Sequence, residues 1–337
     1  MKQTKYLMNP GRLSRQDNTL KFTPVDENGN EGQPRFLPVE QVSDLYVFGS
    51  LDANSALYNF LGKEGIAVHF FDYYEHYTGS FMPREYLLAG KMQVSQTQHY
   101  LSAKKRLLIA RAFIEGAACN ILRVLRYYNN RNAKCDLVGE ITTIEQLLST
   151  VATAPDIPTL MGIEGNIRQT YYGCFDAILG ETFCMEGRSK RPPQNELNAM
   201  ISLGNMLCYS VCLSMIYHTQ LNPTISFLHE PGARRYSLAL DMAEVFKPIL
   251  IDRLIFRMVN KRQLQPSDFR YEVNGCVMKE SARKRFLQEF DASMKETIKH
   301  RSLGRNVSYK YLVKLECYKL QKHLLGLETY RPFKAWW

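Results

Sequence analysis

What the sequence lacks narrows its function first. None of its eight cysteines forms a CxxC pair, which removes the usual spacing of a thiolate metal site. Cys208 and Cys212 stand one helical turn apart in an apolar segment and read as buried free thiols, in keeping with a reduced, cytoplasmic protein. The N-terminal stretch MKQTKYLMNPGRLSRQ has no apolar core of the kind a signal peptide carries. The longest apolar run, Met206–Tyr217, is broken by Ser210 and Ser214 and is too short to span a bilayer. No basic amphipathic anchor, lipidation motif, internal repeat or low-complexity linker is evident. Acidic residues are scarce, 33 against 43 lysines and arginines in 337 residues, for a formal charge of +10. Such a surplus is either plain solubility charge or the footprint of a polyanion. With the membrane features missing, nucleic acid is the partner it favours.

What is present is apolar material for well-filled cores, 45% hydrophobic and 12% aromatic, in two regions of different periodicity. Residues 1–85 read as a small β domain. Tyr6–Met8, Thr19–Thr23 and Arg35–Val39 are short strand-like pieces, separated by Asn9-Pro10-Gly11, Asp17-Asn18 and Asn28-Gly29, which are turn formers. Asp44–Phe48 and Ile66–Phe71 have the β-branched and aromatic character of core strands, and Asn54–Leu61 between them reads as a short capped helix ending at Gly62. Residues 86–337 show helical spacing instead, in Ser102–Tyr128, Glu164–Leu179, Glu196–His218, Ser237–Asn260, Glu280–Lys299 and Ser308–Leu325. The fold class expected is therefore α+β, a small β domain followed by a larger helical one.

The chemistry-bearing residues concentrate in Ser226–Pro248, SFLHEPGARRYSLALDMAEVFKP. His229 precedes a Pro-Gly turn. On the helix that follows, Leu238, Met242, Val245, Phe246 and Ile249 make one apolar stripe, with Asp241 and Glu244 beside it at i and i+3. Upstream, MGIEGNIRQTYY (Met161–Tyr172) presents Glu164 and Arg168 next to a second stripe. Each has a plainer reading: an i,i+4 ion pair for Glu164 and Arg168, a solvated helix edge for Asp241 and Glu244, a hydrogen-bonded structural residue for His229. Together, two or three carboxylates and one imidazole form an oxygen-rich donor set that suits Mg²⁺ or Mn²⁺ better than structural zinc. A metal of that kind acts as a Lewis acid on a phosphodiester, so the reaction class is cleavage or transfer of nucleic-acid strands. Arg168, Arg234 and Arg235 are the basic residues nearest these donors in sequence and are the candidate DNA contacts. Basic residues also crowd the last quarter of the chain, interleaved with Phe286, Tyr309, Tyr311 and Tyr318. The aromatic terminus YRPFKAWW (Tyr330–Trp337) is expected to dock or to bind a partner rather than trail free.

These motifs resemble those of the CRISPR-associated endonuclease/integrase of the adaptation module, the Cas-one family, most nearly its subtype I-B members, along the whole chain. Gly162-Ile163-Glu164-Gly165 with Arg168 and Tyr172 is similar to the family's first metal-ligand motif. Arg191-Pro192-Pro193 with Asn198-Ala199 and Ser202-Leu203-Gly204 is similar to its central PP…NALLSFG segment, from which Met200 and Leu203 depart. Leu228-His229 resembles the histidine motif, and Ser237–Asp241 through Phe246-Lys247-Pro248 the final acidic one. The resemblance implies a β-sandwich-like N-terminal domain, which serves dimerisation, and an all-α catalytic domain. It assigns metal ligation by Mg²⁺ or Mn²⁺ to Glu164, His229 and Glu244, and gives Asp241 an assisting role among the catalytic residues. It further implies a homodimer that joins a small ferredoxin-like CRISPR-associated protein in a heterohexameric complex. That complex would insert a prespacer duplex into the CRISPR repeat, by attack of its 3′-hydroxyls on repeat phosphodiesters in the prokaryotic cytoplasm. Two other classes use the same residues: a plain metal-dependent nuclease of branched or single-stranded DNA, and a non-catalytic DNA-binding scaffold in which the carboxylates only pair with arginines.

Overall fold

Strand-forming pieces in the first unit, Met1–Tyr86, pair into two four-stranded sheets. The computed structural model describes the chain apart from residues 1, 73, 75, 84–86, 88, 132–134, 191, 233–235, 274 and 337. Its strands are β1 (Gln3–Leu7), β2 (Gly11–Gln16), β3 (Thr19–Pro24), β4 (Arg35–Pro38), β5 (Val42–Val47), β6 (Leu51–Asp52), β7 (Ala67–Phe71) and β8 (Tyr77–Phe81), with α1 (Ser55–Glu64) between the sixth and seventh. One sheet runs β1-β5-β7-β8 and the other β4-β3-β2-β6. Leu13, Leu20 and Phe22 from the second sheet and Leu45, Val47 and Val68 from the first share one core with Leu57, Phe60 and Leu61 of α1. This is the β-sandwich-like domain expected. Three strands, β2, β6 and β8, had no counterpart in the sequence reading. In β2 only Gly11 and Leu13 face inward while the rest is polar, so alternation over the segment is too weak to read. Helix α1 also runs beyond Gly62, to a cap at Gly65 whose φ of 70° suits a residue without a Cβ.

The second unit, Leu87–Trp337, is built of α2 (Gly90–Leu101), α3 (Ala103–Arg131), α4 (Val138–Thr150), α5 (Ile157–Gly173), α6 (Phe175–Leu179), α7 (Glu196–Tyr217), α8 (Ser237–Lys247), α9 (Arg253–Asn260), α10 (Glu280–Lys295) and α11 (Tyr309–Leu324). Long α3 and α7 both pack on α8, so the apolar stripe Leu238, Met242, Val245, Phe246 is closed off completely. By length and composition α7 could cross a membrane, but 78% of its most apolar window is buried within the protein; it is the core helix of this unit. Its extent exceeds the apolar run Met206–Tyr217 because Leu197–Leu203 is also inward. The all-α expectation for this unit needs one amendment. It carries two short antiparallel ribbons, β9 (Phe269–Glu272) with β10 (Gly275–Met278), and β11 (Thr297–Lys299) with β12 (Asn306–Ser308). At three and four residues per strand they are too short to impose a readable period. The second removes Thr297–Lys299 from the helix expected over Glu280–Lys299.

The periodic segment Ser237–Asn260 is helical throughout but not uniformly so. Pro248 cannot donate a backbone hydrogen bond, and Pro248–Asp252 widens into a π turn before α9, the form such insertions commonly take. This turn lets Asp252 and Arg253, adjacent in sequence, serve different surroundings.

The aromatic terminus docks. Tyr330 and Phe333 are buried, and Phe333 lies parallel to Phe246 of α8 with ring centres 5.7 Å apart. Buried Glu316 of α11 accepts from the Tyr330 hydroxyl at 2.6 Å and from Phe333 N–H at 3.0 Å. Asn120 of α3 accepts from Ala335 N–H at 2.8 Å and donates to the Val245 and Phe333 carbonyls. The approach depends on Gly116, where a Cβ would stand 2.6 Å from Cβ of Pro332. Gly116→Ala is expected to cost about 2 kcal/mol by overpacking, seen as a melting temperature lower by about 4–8 °C for a unit of this size.

Candidate functional site

Glu164 and Arg168 stand one turn apart on α5. That helix is started by Asp156, whose side chain accepts from Thr159 N–H at 2.8 Å, with a proline in the first turn where no donor is needed. Arg168 reaches across to α8. Its Nε donates to Glu164 Oε1 at 3.0 Å and its Nη2 to Glu244 Oε2. Two carboxylates distant in sequence therefore hold one guanidinium. Lys247, one turn beyond Glu244, donates to its other oxygen at 2.5 Å. The sequence reading left Glu164 and Arg168 exposed, but the arginine side chain is only 12% exposed and the Glu244 side chain 9%, because α5 faces α8 across this contact.

Electrostatics follow from burial. Desolvation opposes ionisation of Glu244, yet the Arg168 and Lys247 charges outweigh it and hold its carboxyl well below the ordinary range. Arg168 loses hydration too, and Glu244, Tyr172 and Glu164 return more than that loss, so its pKa rises. His229 belongs to the same neighbourhood. Burial disfavours its charge, but the hydrogen bond to Asp241 and the charges of Asp241 and Glu244 raise its pKa above the usual histidine value, with Lys247 opposing. Three neighbouring groups are instead shifted toward their neutral forms. Lys190 is held below its ordinary pKa by burial and by Arg188 and Lys247, and Arg188 by burial foremost. Asp252 is pushed up to about 6 by burial, against the pull of Arg168 and the Tyr171 hydroxyl.

Asp241 has a different place from the one the sequence suggested. It does not stand as an open carboxylate with Glu244 at a helix edge; it is completely buried. Its Oδ2 accepts from Phe227 N–H at 2.7 Å and Leu228 N–H at 3.0 Å, and its Oδ1 from His229 N–H at 3.0 Å. The same Oδ1 lies 2.8 Å from His229 Nδ1. With the acceptor positions of both oxygens committed, Asp241 is a positioning residue. It fixes the backbone ahead of the turn and leaves Nε2 as the free ring nitrogen of His229. Arg234 and Arg235, named as candidate DNA contacts, lie outside the described residues.

Four residues beside the cluster were given no role in the sequence reading: Lys247, named there only within a motif, and Arg188, Lys190 and Asp252. Lys247 had a signal, its i+3 spacing from Glu244. Arg188 and Lys190 sit on an irregular segment, and its shape comes from two asparagines. Asn195 and Asn198 bond each other at 2.9 Å, and Asn198 Oδ1 accepts from Ser189 N–H at 3.0 Å and from Arg188 at 2.7 Å. Asp252 could have been noticed as an acid inside an otherwise apolar stretch.

As regards a metal, Glu164 and Glu244 supply oxygens and His229 a ring nitrogen, a donor set suited to a hard divalent cation. Among the described residues, no three histidine, cysteine, aspartate or glutamate side chains are gathered into a ready-made metal cluster. The cations that neutralise the carboxylates are the protein's own, Arg168 and Lys247.

Comparison with known proteins agrees with the motifs. The family model described as CRISPR associated protein Cas1 matches residues 5–292. A CRISPR-associated endonuclease Cas1 of Thermodesulfovibrio yellowstonii is 45% identical over 332 residues, covering 98% of this chain and 99% of the relative. The structure of a Cas1 protein from Thermotoga maritima superposes with a TM-score of 0.86 at 36% identity, over 98% of this chain and 99% of that one. The fold is also that of a casposase bound to integration product, with a TM-score of 0.87 at 18% identity, covering 99% of this chain and 94% of the other. The sequence motifs, the β unit followed by a helical unit and the full-length matches agree, and this chain belongs to the Cas1 family of CRISPR-associated proteins.

Proposed function

We propose that the protein is a metal-dependent DNA endonuclease and integrase that inserts prespacers into a CRISPR array. The observation that carries this reading is the shared guanidinium: Glu164 and Glu244, from helices far apart in sequence, converge on Arg168 with His229 beside them. Glu164, Glu244 and His229 would hold Mg²⁺ or Mn²⁺. When bound, such an ion supplies Lewis-acid polarisation of a phosphodiester and charge neutralisation as the bond exchanges. Asp241 keeps the His229 ring oriented. Lys190, Lys247 and Arg168 bring positive charge to where the scissile phosphate would sit, and Arg188 backs them. As partners we propose a second copy of this chain, paired through residues 1–85, and a small ferredoxin-like CRISPR-associated protein in a heterohexamer acting in the prokaryotic cytoplasm. Both double-stranded prespacer and repeat DNA are substrates in this reading. The named endonuclease relatives, full-length and about 45% identical, support it.

The same ion pairs favour a second reading, a non-catalytic DNA-binding scaffold, because there the two carboxylates exist only to pair with Arg168. One experiment separates them. A labelled duplex with 3′-hydroxyl ends is incubated with the protein, its partner and a supercoiled plasmid carrying leader and repeat, in Mn²⁺ or in EDTA. Label joined to plasmid only with metal supports the integrase. Cleavage without joining supports a nuclease alone, and unchanged binding without any strand chemistry supports the scaffold.

A pH dependence follows from His229. The free ring nitrogen is a donor only while the ring is neutral, and Asp241 and Glu244 raise its pKa, so protonation begins at a higher pH than for a free histidine. Joining is therefore expected to fall as the pH is lowered through that raised value and to level off above it. A rate that stays flat from acid to neutral pH would rule His229 out as a ligand.

A further inference from the structure

We propose that a second recess in the helical unit is a nucleotide subsite, taking a phosphate-bearing nucleotide of single-stranded DNA. It is a cavity of about 550 Å³ between the end of α3, the π turn with α9, and the end of α10, within the roughly 300–1,000 Å³ of small-molecule sites. Its charge is lopsided. Arg131, Arg253, Arg257 and Lys261 line it with one carboxylate, Glu296, and Glu296 is already engaged by Arg257 at 2.9 Å. The surplus positive charge calls for an anion. Arginine and lysine donors fit phosphate oxygens.

The remaining walls specify more than an anion. The Arg131 and Arg253 guanidiniums lie 5.0 and 5.9 Å from the centre of the Tyr127 ring, and Arg131 donates to the Tyr127 hydroxyl at 2.6 Å. Ile178 and Leu250 add an apolar wall. Planar guanidinium and phenol surfaces beside apolar side chains accept a base by stacking, which an acidic peptide would leave unused. The recess is separate from the Glu164–His229–Glu244 cluster. Asp252 faces Arg168 and Tyr171, whereas the next residue, Arg253, lines the recess. Between the two, Phe256 packs against Tyr128 at 5.2 Å and Phe175 at 4.7 Å, and Phe175 against Tyr171 at 5.0 Å.

The inference rests on the DNA-binding reading above, and its test is arranged to fail separately. The probe is a 5′-phosphorylated ten-nucleotide thymidylate strand carrying one 5-iodouracil, used with the full chain. Photocrosslinks are expected on α3 and α9, at Tyr127 or its neighbours. Arg131→Ala/Lys261→Ala, two surface changes whose folding is checked by thermal melting, is expected to weaken binding about tenfold. It should also reduce the salt slope by about 1.4, for two lost phosphate contacts at roughly 0.7 each. Unchanged affinity and slope, or crosslinks mapping elsewhere, overturn the proposal; if the double variant does not fold, the wild-type crosslink map decides alone. Thymidine 5′-monophosphate competing as well as the ten-mer would identify a free nucleotide as the source, and competition by the ten-mer alone a DNA strand. Displacement by polyglutamate but by neither nucleotide overturns it in favour of an acidic protein. Should wild type join DNA ends while the double variant binds the ten-mer normally, the subsite fails and the integrase reading stands.

Discussion

Strand transfer by Glu244→Ala protein is expected to fall about a thousandfold or more, the upper range for removing one principal charge-stabilising group. Affinity for Mn²⁺, measured by calorimetry without DNA, is expected to fall with it. The structure warns of a confounding loss, since the change takes one carboxylate from Arg168 and the ion-pair partner from Lys247. Glu244→Gln is the companion variant: it keeps the shape and an oxygen toward Arg168 while removing the charge. If both variants lose metal binding and joining, and Glu244→Gln melts near wild type, Glu244 acts at the metal. If either joins ends as wild type does, the assignment of Glu244 as a ligand is wrong and the catalytic residues lie elsewhere.

The second large effect is on stability. Asp241→Ala removes the acceptor of three backbone N–H groups, at Phe227, Leu228 and His229, together with the partner of the His229 ring. The donors left behind are largely buried and cannot all find water. A cost of about 3–5 kcal/mol is expected, or a melting temperature lower by roughly 10 °C or more. Joining is expected to be lost well below that temperature, because His229 loses its orientation. Asp241→Asn keeps one acceptor oxygen but turns an NH₂ toward the backbone donors, so it should fall between Ala and wild type. An Asp241→Ala protein that melts like wild type would mean that the turn before α8 is held by something else.

The difference between these two residues measures what was legible in the sequence. Glu164, His229, Asp241 and Glu244 could all be picked out as chemistry-bearing, from residue type and helical spacing. Their division of labour could not. Asp241 and Glu244 are equivalent on a helical wheel, both beside one apolar stripe. What separates them is tertiary. The segment Phe227–His229 folds back to offer Asp241 its N–H groups, while α5 offers Glu244 a guanidinium. Likewise the i,i+4 pairing of Glu164 with Arg168 was predictable from α5 alone, but Arg168 bridging to a second helix was not. In the fold, long amphipathic segments such as Ser102–Tyr128 and Glu196–His218 were visible because each buries a continuous stripe. Helices α2 and α4 were overlooked. In α2 only Met92 and Gln96 are buried, and in α4 only Ile144, so neither presents a stripe to read.

Arg168 and Lys247 give the site a property best put in the language of linkage. Because tethered cations already neutralise Glu244, the helical unit has no electrostatic need of a metal to fold. A divalent ion held by Glu244, as proposed, would instead have to displace side chains whose local concentration is fixed by the chain. A DNA phosphate arriving at the same place can take over those displaced cations as its own ligands. In the proposed enzyme each ligand then lowers the free-energy cost of the other, and by reciprocity the metal tightens DNA as much as DNA tightens the metal. In that reading the arginine and lysine compete with the ion when DNA is absent, so metal would bind more weakly then and more tightly when there is a strand to act on.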